Sequence, residues 1–292
     1  MLTKEQFQNK LTNDPMILDG ATGSNLRAAG MPKDCCTEQW ILENPEPLAA
    51  LQRAYARAGS DIVYAPTFQA QPLSLSKVGL DRQTESINEA LVALSRSAAP
   101  GCLIAGDLTT MAAVCESWDP DNFDIMVAAY RRQIRGLIDG GADLLIGETL
   151  LYPLEAEAIL EAAQQENAGA VLFSFTMQPD GILFSGQDGG KALRELEIMG
   201  AAAVGFNCVA ASQDTPSLVS KLRRHVRGPL ICKPNAGLPS AAPDGSELYS
   251  MTPEIFGTIQ QQCRNNGASL LGGCCGTTPA HIAALAKKSR SV

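Results

Sequence analysis

Residues 141–149 read Gly141-Ala142-Asp143-Leu144-Leu145-Ile146-Gly147-Glu148-Thr149. This stretch shows in full the repeated pattern that decides the fold of the chain. A glycine that closes the preceding helical segment is followed by a short apolar run over residues 143–146. Polar side chains, Glu148 and Thr149, come directly after the run. An apolar run of this length without strict alternation is typical of a parallel strand that is buried on both faces.

The same pattern recurs along the chain. Eight apolar runs predict strands at Met16–Leu18, Asp61–Tyr64, Leu103–Ala105, Asp143–Ile146, Ala170–Phe175, Ala203–Phe206, Leu230–Cys232 and Ser269–Leu271. Helices are predicted at Pro47–Ala58, Thr84–Ala98, Asp124–Asp139, Leu154–Glu166, Lys191–Met199, Ser217–Val226, Pro253–Asn266 and Pro279–Lys288. Eight strand–helix units without a linker favour an α/β fold, a single (β/α)8 TIM-type barrel over residues 1–292. A doubly wound open sheet is the alternative, but no G-x-G-x-x-G motif follows the first strand.

The charge composition of the chain limits the kinds of molecule that it is expected to bind. The 292 residues carry a formal net charge of −8, and no basic stripe stands out. Nucleic acid and anionic membranes are therefore disfavoured as partners, since neutralising phosphates requires many Lys and Arg side chains. We find no secretory signal and no apolar run that approaches the roughly 20 residues of a membrane span. Together with nine cysteines, this predicts a cytoplasmic protein whose thiols are reduced.

Polar residues follow most of the predicted strands. In chain order they are Asp19, Thr67, Asp107, Glu148-Thr149, Asn207-Cys208, Asn235 and Cys274-Cys275. The carboxyl ends of barrel strands meet at one mouth, where the chemistry of such folds takes place, so these side chains are predicted to converge there. For Asp19 and for Asp107, capping of a following helix is the alternative.

Three cysteines form a candidate metal centre. Cys208 follows the sixth predicted strand, and the pair Cys274-Cys275 follows the eighth. Neighbouring residues of a regular strand point to opposite faces, so the pair can share an ion only where the strand has ended. Gly272-Gly273 and Gly276 around the pair supply that freedom. Three thiolates suit zinc and leave a fourth tetrahedral position open, as in catalytic zinc sites.

The cysteines could also have roles other than metal binding. Packed thiols or a redox pair are the alternative for Cys274-Cys275, because two adjacent cysteines alone are weak evidence for a metal. Cys35-Cys36 lacks both a glycine frame and a third partner, and we interpret it as non-ligating. Cys102, Cys232 and Cys263 lie in apolar or helical segments and are predicted to fill the core.

These residues resemble the motifs of a known family. Residues 271–282, LGGCCGTTPAHI, resemble the signature of the homocysteine S-methyltransferase family, and Gly205-Phe206-Asn207-Cys208 resembles its other zinc-ligand motif. Residues 18–23, 147–149 and 234–239 resemble its first-, fourth- and seventh-strand motifs. The Gly-Gly-Cys-Cys-Gly string is highly specific, and the anchors span nearly the whole chain. The chain looks most like the homocysteine-binding module of cobalamin-dependent methionine synthases, standing alone.

The resemblance implies a zinc-bearing (β/α)8 barrel in which Cys208, Cys274 and Cys275 bind one Zn2+ per chain and carry the chemistry. Homocysteine would add its sulfur as the fourth ligand, lose its proton and attack an electrophilic methyl group in line, giving methionine. Because the metal lowers the pKa of the thiol, no general base is required.

The resemblance also implies substrate contacts. Asp19 and Glu148 would hold the amino-acid end of homocysteine, since a carboxylate facing an ammonium group makes a charge-assisted hydrogen bond. Backbone amides in the segment that includes Gly20 and Thr22 would hold the substrate carboxylate. Asn235 of the seventh-strand motif is a further candidate contact.

Two departures from the family pattern leave the methyl donor open. Residues 64–68 lack the usual Glu-Thr-Asn, and residues 106–109 read Gly-Asp-Leu-Thr instead of the usual Gly-Ser-Ile-Gly. We favour methylcobalamin on a separate corrinoid protein, with a folate, S-methylmethionine or a betaine as alternatives. The loops at residues 69–82 and 235–251 would then form a docking rim.

Two other functions remain as alternatives at this stage. The first is a corrinoid-linked methyltransferase subunit that acts on another thiol or removes a methyl group. The second is a non-catalytic zinc-binding partner subunit, which would bind zinc but no substrate thiol.

Overall fold

A computed structural model describes residues 1–11, 14–241 and 247–290 of the chain. Eight parallel strands form one sheet: β1 Met16–Ile17, β2 Ile62–Tyr64, β3 Leu103–Thr109, β4 Leu144–Leu150, β5 Val171–Phe175, β6 Ala203–Ala210, β7 Leu230–Asn235 and β10 Leu270–Leu271. Strands β8 Pro239–Ala241 and β9 Glu247–Tyr249 pair antiparallel in a separate hairpin after β7. Every strand of the main sheet was predicted to within a residue or two at its start.

The sheet closes on itself. Neighbours pair in the order β1-β10-β7-β6-β5-β4-β3-β2, and a parallel bridge between Leu18 and Ile62 joins the two end strands. Parallel pairing of successive strands requires a crossover after each one, which the intervening helices provide. The predicted (β/α)8 barrel is therefore confirmed, and the doubly wound sheet is excluded.

Helices surround the barrel. Their bounds are α1 Lys4–Gln8, α2 Gly23–Ala28, α3 Thr37–Glu43, α4 Pro45–Ala58, α5 Pro72–Leu75, α6 Thr84–Ala98, α7 Phe123–Asp139, α8 Pro153–Gln165, α9 Gly189–Met199, α10 Thr215–Arg223, α11 Pro253–Asn265 and α12 Pro279–Ser289. All eight predicted helices are present with ends shifted by a few residues. The short helices α1, α2, α3 and α5 were not predicted, because they are too brief to show an apolar stripe. None of the helices in the described residues combines the length and apolar character that a membrane crossing requires.

Strand side chains alternate between two apolar clusters. Those pointing outward, such as Val63 and Leu145, pack against helix residues such as Ile134. Those pointing inward near the amino ends of the strands form a separate cluster inside the barrel, including Ile146 and Ile231. The amino-terminal segment closes that end of the barrel. Its Phe7 is fully buried in the inner cluster, and Leu2 and Gln8 form hydrogen bonds with backbone groups of Asp143, Ala170 and Ala202 just before the strands.

Inside the other end of the barrel the side chains are polar. Asp107, Glu148, Asn207 and Lys233 all belong to barrel strands, are all buried, and lie closer to the carboxyl end of their strand than the apolar inner cluster. This corrects the expectation that such residues follow the strands. Strands β3, β4, β6 and β7 continue three or four residues past the apolar runs, because backbone pairing does not depend on the polarity of the side chain.

Candidate metal centre

Three thiols meet at the carboxyl end of the barrel. The Sγ atom of Cys208 lies 3.1 Å from that of Cys274 and 3.8 Å from that of Cys275, and the last two are 4.0 Å apart. Cys274 is buried, and the other two are half-buried. Within the described parts of the chain, no other group of three or more Cys, His, Asp or Glu side chains is placed to share an ion.

Strand β6 presents Cys208 through an irregularity. Cys208 was expected just past the strand, but it lies inside β6, where the pairing with β7 shifts between Asn207 and Ala210. Its φ of 57° is in the left-handed region, which a non-glycine residue rarely adopts. Because of this backbone conformation, the side chain of Cys208 does not follow the alternation of a regular strand, and its sulfur points toward Cys274 and Cys275 after β10.

Asn207 holds this irregular backbone against β4. Its Nδ2 donates to Thr149 Oγ1 at 2.6 Å, and its Oδ1 accepts from the Thr149 backbone N–H at 3.0 Å. Thr149 has a left-handed φ of 59°, at a second register shift in β4. Asn207 Nδ2 also lies 3.8 Å from Cys274 Sγ, within reach of an N–H···S contact. One fully buried amide therefore links two irregular strands to the thiol cluster.

Asn235, at the end of β7, joins the two cysteine segments. Its Nδ2 donates to the backbone oxygen of Cys208 at 3.1 Å, and its Oδ1 accepts from the backbone N–H of Cys275 at 3.0 Å. The backbone N–H of Cys274 donates to Pro234 O at 2.8 Å. The amide predicted to contact substrate is thus engaged with the cysteine backbone, and a substrate contact stays a prediction.

The Cys274-Cys275 turn depends on its flanking glycine and threonine. Gly276 has a φ of 75°, and a Cβ there would collide with the ring of Tyr249. Thr277 Oγ1 donates to Cys274 O at 2.7 Å and accepts from the backbone N–H of Ala21 at 3.1 Å. The strand has ended before the pair, as the sequence predicts, and the turn is tied to the loop after β1.

The donor set and its spacing fit a zinc ion. Zn–S bonds of about 2.3 Å at tetrahedral angles separate sulfurs by about 3.8 Å, close to the observed 3.1–4.0 Å. Hydrogen bonds from Cys208 and then from Cys274 lower the pKa of Cys275 well below that of an ordinary thiol. Hydrogen bonds with Cys274 and then with Cys275 raise the pKa of Cys208. A metal ion that binds the three sulfurs would displace the thiol protons that now form these hydrogen bonds.

A cavity of about 460 Å³ opens beside the thiols. The cysteine cluster lies in its wall, together with the predicted substrate contacts Asp19, Gly20, Thr22 and Glu148. Neither Asp19 nor Asp107 caps a helix: Asp19 Oδ2 accepts from the Tyr64 backbone N–H at 2.8 Å, and Asp107 lies inside β3. The capping alternative is therefore wrong for both.

Lys233 is the residue of this site that the sequence analysis missed. Its side chain is only 4% exposed, and its Nζ forms ion pairs with Glu148 Oε1 at 2.9 Å and Asp19 Oδ1 at 3.7 Å. The Nζ also lies 4.5 Å from the ring centre of Tyr64, in cation–π contact. One signal could have revealed it, a charged residue directly after the apolar run of the seventh strand.

The pKa shifts describe a buried charge cluster. Burial raises the pKa of Asp19 to about 7, although Lys233 opposes the shift. Burial also raises the pKa of Glu148, again against the effect of Lys233. For Lys233 burial would lower the pKa, but Glu148, Asp19 and Cys274 outweigh it and raise the pKa well above the usual value. The two carboxyl groups thus favour the charged form of Lys233, which lies between them.

The prediction that three further cysteines fill the core is confirmed. Cys102, Cys232 and Cys263 are buried in the core between strands and helices. The Sγ of Cys35 contacts Pro32 O at 3.2 Å, and Cys36 contacts the Glu38 carboxylate at 3.6 Å. Neither belongs to a cluster able to share an ion within the described residues.

Fold and site together define a class of protein, (β/α)8 barrels that gather three cysteine thiols at the carboxyl ends of their strands beside a charged cavity. The homocysteine S-methyltransferase family model matches residues 16–289, and the chain belongs to this family. The resemblance seen in the sequence is thereby confirmed.

Similar proteins are of two lengths. The chain is 29% identical over 292 residues to methionine synthase of Mycobacterium tuberculosis, covering 93% of the chain and 24% of that protein. It is 28% identical to methionine synthase of Mycobacterium leprae, covering 91% of the chain and 24% of that protein. The chain therefore spans about a quarter of the length of these relatives. The metallated homocysteine methyltransferase MmuM of Escherichia coli superposes with a TM-score of 0.81 at 28% identity, covering 99% of this chain and 100% of that one.

Proposed function

We propose that this chain is a zinc-dependent S-methyltransferase that transfers a methyl group to the thiol of homocysteine and yields methionine. Membership of the family supports the reaction class. The proposal depends mainly on one observation: three cysteine sulfurs lie 3.1–4.0 Å apart in the wall of a cavity that is also lined by carboxyl groups.

In this proposal Cys208, Cys274 and Cys275 hold the zinc. When bound, the zinc would lower the pKa of a thiol that joins the site, so that the thiolate predominates near neutral pH. The chain's own contribution is to fix geometry. Asn235 ties the Cys208 and Cys275 segments together, and Asn207 fixes the irregular backbone that turns Cys208 inward. Such outer partners orient metal ligands and tune their affinity.

The charged end of the cavity would orient the acceptor. Asp19 and Glu148 are buried carboxyl groups that line the cavity beside the thiols, and each would accept a hydrogen bond from the ammonium group of homocysteine. Backbone amides near Gly20 and Thr22, on the same wall, would bind its carboxylate. Holding both ends of the amino acid leaves the thiol as the group that can reach the cysteines.

We further propose that residues 1–292 act as one cytoplasmic domain and that a separate corrinoid protein presents the methyl group. The predicted docking rim supports a protein partner, because it carries large exposed apolar side chains. Val78 is 48% exposed, Leu238 77% and Leu248 53%. Both loops follow the carboxyl ends of barrel strands, β2 and β7, on the face where the cavity opens, and exposed apolar patches are typical of interaction sites. Residues 242–246 of this rim lie outside the described part of the chain.

X-ray absorption at the zinc edge tests the proposal. Zinc-loaded protein should hold one zinc per chain with three sulfur ligands, and homocysteine should raise the number to four. Cys208→Ser should lose both zinc and turnover, while Cys102→Ser, which alters a core thiol away from the cavity, should retain both. Normal methylation by zinc-free protein would refute the mechanism. A sulfur number unchanged by homocysteine would instead favour the non-catalytic zinc subunit.

A panel of donors tests the partner. Homocysteine is supplied with free methylcobalamin, S-methylmethionine, a methylated folate or a betaine in separate reactions. Turnover with methylcobalamin alone supports the corrinoid donor. Efficient turnover with any of the others would contradict it while leaving the acceptor assignment intact.

A further inference from the structure

Asp107 is a buried carboxyl group that the proposed mechanism leaves unused. It lies in β3, is 5% exposed and lines the cavity. Its Oδ1 has no hydrogen-bond partner among the described residues. Buried polar atoms are almost always paired, so an unpaired carboxyl oxygen at a cavity wall indicates a group that arrives from outside.

The backbone around Asp107 is firmly held, although its side chain is not. Its N–H donates to Thr67 Oγ1 at 3.0 Å, and its carbonyl oxygen accepts from that hydroxyl at 2.9 Å. Gln133 Nε2 lies 3.3 Å from the same carbonyl oxygen. A carboxyl group on a fixed backbone is preorganised to receive a partner, since little further ordering is needed on binding.

The charges near Asp107 point to a cation as that partner. Three buried carboxyl groups, Asp19, Asp107 and Glu148, share one buried cation, Lys233, whose ion pairs go to Glu148 and Asp19. The other basic residues of the cavity wall, Arg27 and Lys33, are exposed. Burial, followed by the charge of Glu148, raises the pKa of Asp107 well above its usual range. An incoming cation would favour the carboxylate form and relieve this cost.

We propose that Asp107 receives the ammonium group of the acceptor amino acid, so that it selects thiols that carry an amine. This rests on the proposed function, and it adds to Asp19 and Glu148 a carboxyl group that is not among the ion-pair partners of Lys233 in the described residues. Lys233 restrains Glu148 and Asp19 by ion pairing, which leaves Asp107 as the carboxyl group most available to a new cation.

The test compares two acceptors that differ only in the amine. Homocysteine and 4-mercaptobutanoate share the thiol, the chain length and the carboxylate. Their binding to zinc-loaded wild type, Asp107→Asn and Asp107→Ser is measured by calorimetry. Loss of a buried charge-assisted hydrogen bond should weaken homocysteine by 10- to 100-fold. Binding of 4-mercaptobutanoate should change by less than about threefold, since it makes no such bond.

Ser174→Ala is the matched control. Ser174 lies in β5, is 1% exposed and has an unpaired hydroxyl, but it does not line the cavity. It should leave both affinities unchanged. If the Asp107 variants weaken both thiols equally, or neither, the assignment of Asp107 is wrong while the proposed function stands. If wild-type protein binds neither thiol, the proposed function itself fails.

Discussion

Replacing Lys233 by methionine tests whether the buried cation stabilises the barrel. Methionine keeps much of the side-chain volume and removes the charge. In the variant, Glu148 and Asp19 lose the ammonium group that lies 2.9 Å and 3.7 Å away. Both carboxyl groups are at least nine-tenths buried, so water cannot replace the lost partner.

The magnitude follows from the two distances. With an effective dielectric constant of about 20, charges at these separations attract by roughly 6 and 4.5 kcal/mol. The cost of burying the ammonium group offsets much of this attraction. Removal of one partner from a buried pair typically lowers the free energy of unfolding by about 3–5 kcal/mol. We expect a loss in that range at pH 8.

The loss should shrink at low pH. Without Lys233 the folded-state pKa values of Glu148 and Asp19 rise further, because the attraction of the ammonium group no longer opposes the effect of burial. A carboxyl group whose pKa is raised in the folded state favours folding below its unfolded pKa, and that stability is lost as pH rises through the folded pKa. The variant is therefore penalised more at pH 8 than at pH 5, because protonation of the two carboxyl groups removes their unpaired charges.

Urea unfolding of zinc-free protein, followed by circular dichroism at pH 5 and pH 8, measures the effect. The exposed Lys191 provides the control variant Lys191→Met, which should change stability by less than about 0.5 kcal/mol. Adding Glu148→Gln to Lys233→Met should recover part of the loss, since it removes one unpaired charge. A loss below about 1 kcal/mol at pH 8 would show that the pair contributes little to stability. An equal loss at both pH values would show that the loss does not come from the charges of the two carboxyl groups.

Three further outcomes are expected. Asn235→Ala should weaken zinc binding by about 10- to 100-fold in chelator competition, because the backbones of Cys208 and Cys275 lose their shared hydrogen-bond partner. An unchanged zinc affinity would show that Asn235 does not position the metal ligands. Asp19→Asn should reduce the loss of unfolding free energy between pH 4 and pH 7 in urea unfolding. Burial raises the pKa of Asp19 to about 7, so its protonated form favours the fold at low pH, and this stability is lost as the pH rises to 7. A loss as large as that of the wild type would exclude Asp19 as the source of this pH dependence. Gly205→Ala should lower the melting temperature sharply, because its Cβ would collide with the backbone of Ile231. Gly23→Ala is the control, since the new Cβ would lie in open space. Equal melting temperatures for the two variants would contradict the close packing of β6 and β7.

Much of the fold was predictable because it depends on local patterns. Apolar runs marked all eight barrel strands, and the long amphipathic helices were found between them. Short elements such as α2 and the β8–β9 hairpin were missed, since a few residues carry no period. The ends of the strands were also misplaced, because polar side chains inside a barrel do not interrupt backbone pairing.

The sequence by itself determined the alternation of strands and helices, the glycine-framed cysteine pair and the polar residues at the strand ends. Only the tertiary structure decided which of them meet. It placed Cys208 on a left-handed residue within β6, assigned the Asn235 amide to the cysteine backbone, and brought Lys233 between Glu148 and Asp19. The physical reason is that inward-facing neighbours in a closed barrel are set by the stagger of strands that are distant in the chain, and no local pattern records that stagger.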